Sequence, residues 1–285
     1  MRVSIWFFLV MLVVEISFCE GTYVFLKDVR FGNIVLEHVP DEAIVSDKVV
    51  GLDIYLGELI KDIDYLVLGV CSDYTLVEKL GRYLGGYLKK LGVDFLVFGT
   101  FKTLNGIRSL KYVSRSPFVT AHVLSLFARG LQTAGVVPVL DMREGFNEDV
   151  IRALVSRHSF FPFVVREESV ARKIKDLGIK RPFLLDKGDF WTLKDGVPDQ
   201  LEYSWHDEAS REELEDVRRE ILMHAMVILQ NPSRVSRKMV VIDDPWEKLP
   251  KDVKVILIFS DDPWLKKLAE KALNGEFQIK GRRTW

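Results

Sequence analysis

The strongest constraint on this chain is a regular alternation, between about residues 33 and 230, of short apolar runs with amphipathic helical runs. Strand-length runs bounded by turn residues, each followed by a segment of helical period, are the signature of βαβ units around a parallel sheet. Strands are expected near 33–38 or 48–54, and at 93–99, 136–141, 161–165, 182–186 and 226–230. The almost wholly apolar run 64–70 (DYLVLGV) also reads as a strand, one buried on both faces. Leu76, Val77, Leu80, Leu84, Tyr87, Leu88 and Leu91 share a helix face, with Thr75 and Glu78 at capping-box spacing and Gly92 as the stop. Ser116-Pro117 opens a second helix, serine as N-cap and proline at the first position, and Gly135 ends it. Further helices are expected at 147–157, at 167–177 before Gly178, and at 207–225 after a loop spanning 187–206.

Seven or eight such steps match the count of an eight-stranded, TIM-like (β/α)8 barrel. A doubly wound open sheet is the alternative architecture, and a two-lobed binding protein a third. Past Asn231-Pro232 come strands at 238–242 and 253–259, a helix opened by Asp262-Pro263, and a last strand within 276–285. That piece is too small for a robust core of its own and is expected to dock as a short α/β extension. The expected division is a leader over 1–19, a barrel over 20–235 and the extension over 236–285.

The leader rests on Met1-Arg2, an apolar run from Val3 to Val14 and the pair Ser17 and Cys19, the layout of a secretory signal peptide. The run is short for a permanent span, which needs about 20 apolar residues. The expectation is therefore a secreted or periplasmic protein with no membrane span once the signal is removed; a lipid anchor at Cys19 ranks below simple cleavage. Cys71 is then the sole cysteine, excluding an internal disulfide framework and a Cys-rich zinc site. Forty basic residues against 41 acidic ones argue against a nucleic-acid partner. No metal and no cofactor is expected.

Two stretches carry a resemblance. Leu84-Gly85-Gly86-Tyr87-Leu88-Lys89-Lys90-Leu91-Gly92-Val93-Asp94 is one; Ser116-Pro117 through Phe127-Ala128-Arg129-Gly130-Leu131-Gln132-Thr133-Ala134-Gly135-Val136-Val137 is the other. They resemble glycoside hydrolase family 3, in its β-N-acetylhexosaminidase-like branch, as do 174–186 and 225–231 more loosely. The resemblance implies a barrel glycosidase acting on β-linked glycans. It also exposes a gap. Where the family places a Lys-His pair followed by a Pro-Gly-His-Gly loop, this chain reads Pro138-Val139-Leu140-Asp141-Met142-Arg143-Glu144-Gly145-Phe146.

A retaining mechanism needs a carboxylate nucleophile and an acid/base partner about 5 Å apart. By that resemblance Asp186 is the candidate nucleophile, with Asp189 second, and Asp141, Glu144 or His158 the candidate acid. Arg108 and Trp191 are candidate sugar contacts, an echo of the family's Arg-Ser-Phe turn and an aromatic platform respectively. An active enzyme should present two such groups to one pocket at the strands' C-terminal ends. A catalytically degenerate, non-enzymatic glycan-binding or scaffold barrel should instead fill that mouth with Met142, Phe146 and Phe190.

Overall fold

The computed structural model describes residues 34–45, 49–100, 102–104, 109–159, 161–179, 181, 183–186, 191–194, 209–230, 239–242, 245–246 and 253–283. The leader, Arg108, Asp189 and Phe190 lie outside them. Six strands, β1 (Ile34–Leu36), β2 (Val50–Asp53), β3 (Phe95–Phe98), β4 (Val137–Asp141), β5 (Phe163–Val165) and β6 (Phe183–Asp186), lie side by side in chain order, each parallel to the next. An unreversed order rules out the doubly wound alternative, whose strand order turns back on itself at a switch point. The six strands form a curled half-barrel, and no closed eight-stranded barrel is present among the described residues.

The helices follow from local signals. Helix α1 (Leu56–Leu59) and α2 (Tyr65–Val70) fill the β2–β3 crossover ahead of α3 (Thr75–Lys90). The expected strand at 64–70 is thus helix α2. All six of its residues are buried, so neither face needed to be polar, and an apolar run this short does not declare its period. At the start of α3, Asp73 Oδ1 accepts from Thr75 N and Oγ1, in place of the expected Thr75–Glu78 box. Glu78 instead pairs with Arg129 across the interface to α4 (Pro117–Thr133), which Ser116 caps through Val119 N. Gly81 and Gly130 let these helices touch backbone to backbone: a Cβ added at Gly130 would lie 2.2 Å from the Glu78 carbonyl oxygen, and one at Gly81 2.3 Å from that of Phe127. Gly130 in the Phe127–Gly135 motif is therefore a packing requirement. Helices α5 (Glu148–Ser156) and α6 (Glu168–Asp176) complete the series.

The expected loop 187–206 contains β7 (Trp191–Lys194), which turns back antiparallel to β6 and puts Trp191 opposite Asp186. Helix α7 (Arg211–Ala225) starts with a full capping box between Ser210 and Glu213 that the sequence reading passed over. β8 (Val227–Gln230), the expected eighth barrel strand, does not join the large sheet. It pairs antiparallel with β10 (Lys254–Leu257), which is parallel to β9 (Met239–Ile242), in a separate three-stranded sheet covered by α8 (Pro263–Leu273). The tail 276–283 forms no strand. Among the described residues no helix is long and apolar enough to cross a membrane.

Strand alternation sorts the large sheet into two faces. Leu52, Leu96, Phe98, Leu140, Phe163 and Leu185 join the helices in the main core. The concave face carries a separate small cluster of Phe95, Val97, Val137, Val139, Val164 and Leu184. The Phe95 ring lies over Gly51, where an added Cβ would come within 2.0 Å of it. That face runs straight into the site.

Candidate functional site

On three of the strands, the residue two places beyond a buried concave position is an acid. Gly51 is followed on the same face by Asp53, Val139 by Asp141 and Leu184 by Asp186. Parallel strands place all three aspartates at one edge, their C-terminal ends, where chemistry collects in β/α folds. Among them stands Arg143, two residues past Asp141 and carried back by a turn in which Asp141 Oδ1 accepts from Arg143 N at 2.9 Å.

The guanidinium is grasped from three sides. Asp53 takes it bidentately, Nη1 to Oδ2 at 2.6 Å and Nη2 to Oδ1 at 2.7 Å. Asp141 accepts from Nε at 3.0 Å and from Nη2 at 2.9 Å. Asp186 Oδ2 accepts from Nη1 at 3.3 Å. These contacts engage all five N–H groups that an arginine fork offers. Burial opposes the charge on Arg143, but hydrogen bonds from Asp141 and Asp53 outweigh it and raise the pKa above the ordinary arginine value. The side chain is only 15% exposed and Asp186 11%.

A cavity of about 180 Å³ opens beside this array, its wall including Asp53, Asp141, Arg143, Tyr55, Tyr65 and Lys111. Tyr55 donates to Asp64 Oδ1, and burial, then that carboxylate, push the phenol pKa upward. Burial likewise raises Tyr65, whose oxygen accepts from Gly99 N at 2.5 Å. Lys111 Nζ sits 5.1 Å from the Tyr55 ring centre. The wall therefore offers carboxylate acceptors, phenols and a cationic flank.

The sequence-predicted residues divide sharply. Asp141 and Asp186 are brought together, but Asp186 lies behind Arg143 and is not part of the cavity wall. Glu144 is at the rim, exposed, 3.8 Å from Lys102. His158 stands apart. It sits in the turn after α5, before β5 and so at the strands' opposite end, in left-handed conformation with φ 53°. Trp191 begins β7. Met142 turns into the helix-side core and Phe146 packs on it, so neither plugs the mouth as expected of an inert barrel. A guanidinium does. Asp53 and Arg143 were missed as site residues. The signal for Asp53 was an acid ending an alternating strand; nothing local marks Arg143.

Asp62, Asp261 and Asp262 also bring carboxylate oxygens within 4.8 Å of one another, enough donors for a cation. Two of them are already held by Arg218, at 2.6 Å to Asp62 and 2.9 Å to Asp262, with Lys61 3.8 Å from Asp262. Protein cations already occupy these carboxylates, so the centre does not fit a resident metal.

No protein-family model and no curated protein matches the chain. Solved structures similar to it include glycosidases of family 3. β-Glucosidase 3B from Thermotoga neapolitana in complex with glycerol is 11% identical, with a TM-score of 0.45 over 74% of this chain and 45% of that one. The same enzyme in complex with glucose is 14% identical, with a TM-score of 0.41 over 62% and 38%. A glycosyl hydrolase of the GH3 family from Mycobacterium smegmatis is 14% identical, with a TM-score of 0.43 over 87% and 84%. The chain spans less than half the length of the Thermotoga enzyme.

Proposed function

We propose that this is an exported barrel of glycoside hydrolase family 3 descent that binds β-linked glycans at the strand ends without hydrolysing them. The carrying observation is Arg143, held by Asp53, Asp141 and Asp186 where a glycosidase presents its reacting carboxylates. On this reading the curled sheet is the main part of a (β/α)8-type barrel, and the carboxylates accept hydrogen bonds from sugar hydroxyls. The carboxylates, held in place by the guanidinium, match vicinal hydroxyl pairs, and Tyr55 and Tyr65 supply apolar area with polar tips.

Hydrolysis is disfavoured for two reasons. The candidate nucleophile Asp186 does not line the cavity and is ion-paired with Arg143 instead. Of the candidate acid/base partners, His158 lies at the strands' opposite end, Glu144 is exposed at the rim beside Lys102, and Asp141 is tied to Arg143. One feature favours the enzyme reading: Asp53 and Asp186 share Nη1, whose N–H bonds diverge, so their oxygens sit on the order of 5 Å apart, the spacing of a retaining pair.

Calorimetric titration with β-linked glucose and N-acetylglucosamine oligosaccharides should give saturable binding that Arg143→Ala abolishes. Aryl β-glucosides and aryl β-N-acetylglucosaminides should not be turned over above background. Turnover at about 1 s⁻¹ or more, lost in Asp186→Asn, would overturn the non-hydrolytic reading. Export rests on the composition of Met1–Cys19. Its check is N-terminal sequencing of the protein recovered outside the cytoplasm, with a start near Glu20 expected.

A further inference from the structure

A second polar concentration lies on the helical side of the molecule, and the sugar-binding reading does not use it. A cavity of about 420 Å³ is walled by His122 and Arg129 from α4, Arg157 and His158 from the turn after α5, and Arg181 from the turn before β6. Among the described residues no aspartate or glutamate lines it, although acids slightly outnumber bases in the chain as a whole. Arg129 is held from outside the wall by Glu78 of α3. Arg157 donates through Nη1 to His122 Nδ1 at 3.0 Å, which needs a neutral imidazole there. Burial first, then the neighbouring charges of Arg157 and Arg129, hold the His122 pKa below the ordinary histidine value.

His158 adds a separate observation. The residue that reverses the chain after a helix is Gly92 after α3, Gly135 after α4, Gly178 after α6 and Gly275 after α8, all with positive φ. After α5 it is histidine, at φ 53°, with His158 N donating to Val155 O at 3.0 Å and Ser159 N to Leu154 O at 3.1 Å. A side chain in this conformation is strained relative to glycine. The chain accepts that strain and thereby presents an exposed imidazole to the cavity.

We propose that this cavity binds the phosphate group, or the isosteric sulfate, of an anionic ligand. Cationic and N–H donor groups from three elements converge on it, which suits a tetrahedral oxyanion with three acceptor oxygens better than a planar carboxylate with two. The site is independent of the Arg143 array and stands or falls without it.

The test is calorimetric titration with sodium phosphate against sodium chloride of equal ionic strength, on the full chain and on Arg157→Gln and His158→Gly. Saturable phosphate binding is expected, weakened about tenfold by Arg157→Gln. His158→Gly should bind more weakly yet melt about 2 to 4 °C higher in phosphate-free buffer, because the strain is relieved. A purely structural His158 would show the melting shift without the affinity loss. Co-sedimentation with phosphatidylglycerol vesicles, against phosphatidylcholine, separates sources: capture sensitive to Arg157→Gln points to a headgroup, phosphate binding without capture to a free anion. Absence of both in the wild type, or binding unchanged in Arg157→Gln, would overturn the proposal.

Discussion

Two arginines in this chain are each gripped by three acids, and they do different things. Arg143 holds Asp53, Asp141 and Asp186, all delivered by parallel strand ends, and one side of the array faces a cavity. Arg218, on α7, holds Asp62 from the turn after α1, Asp262 ahead of α8 and Glu215 one turn back, while its Nε donates to the Lys61 carbonyl at 2.7 Å. Ser260 adds a hydrogen bond to Asp62, and Arg218 is 4% exposed. The chemistry is the same, but the geometry of supply differs. Acids arriving from one sheet edge leave an open face that a ligand can use. Acids arriving from distant loops bury the cation more deeply, although it too borders a cavity, and tie α7 to both the early crossover and the C-terminal unit.

That contrast can be broken or sharpened by experiment. The largest effect is expected from Arg218→Ala, because this guanidinium is 4% exposed and its acids come from three separate parts of the chain. Removing one partner of such a buried set costs about 3 to 5 kcal/mol, read from the urea midpoint. Arg143→Ala should cost less, about 1 to 3 kcal/mol, because the guanidinium it removes is less deeply buried, 15% exposed against 4%, and it should abolish glycan binding. A greater loss of stability at Arg143 than at Arg218 would reverse the assignment of ligand site and structural tie.

Smaller effects separate the two regions. Ser210→Ala removes the capping box at the start of α7 and should lower stability by about 1 kcal/mol while leaving the glycan affinity unchanged. The smallest effect is the pH dependence of the Arg218 centre. Arg218 holds Asp262 below the ordinary carboxylate value of 3.8. A depressed acid stabilises the fold above its unfolded pKa, and that contribution is lost as pH falls below 3.8 through the folded pKa. Asp262→Asn should therefore show a shallower acid limb in that range than the wild type. Equal slopes would mean that the Asp262–Arg218 contact adds nothing in solution.

Legibility followed the range of the interactions. The units from β3 to β6 were readable because caps and stops act locally: Ser116, Asn147 and Gly178 each mark an end that the structure retains. Asp141 and Asp186 were readable as acids ending apolar strands. Helix α2 was misread because its burial is set by what surrounds it; Leu66 N donates to Leu110 O, and Gly69 packs on the Val113 carbonyl. β8 was misassigned for a similar reason, since an apolar strand carries no mark of the sheet it will join.

By itself the sequence determined the order and kind of most elements, the positions of their caps, and the absence of the Lys-His loop that the family resemblance leads one to look for. Those depend on residues within a few places of each other. The tertiary structure alone decided that six strands curl in chain order, that Asp53 meets Asp186 across 133 positions, and that Arg143 occupies the mouth between them. Strand registers set those meetings, and no local propensity encodes which distant carboxylate a guanidinium will find.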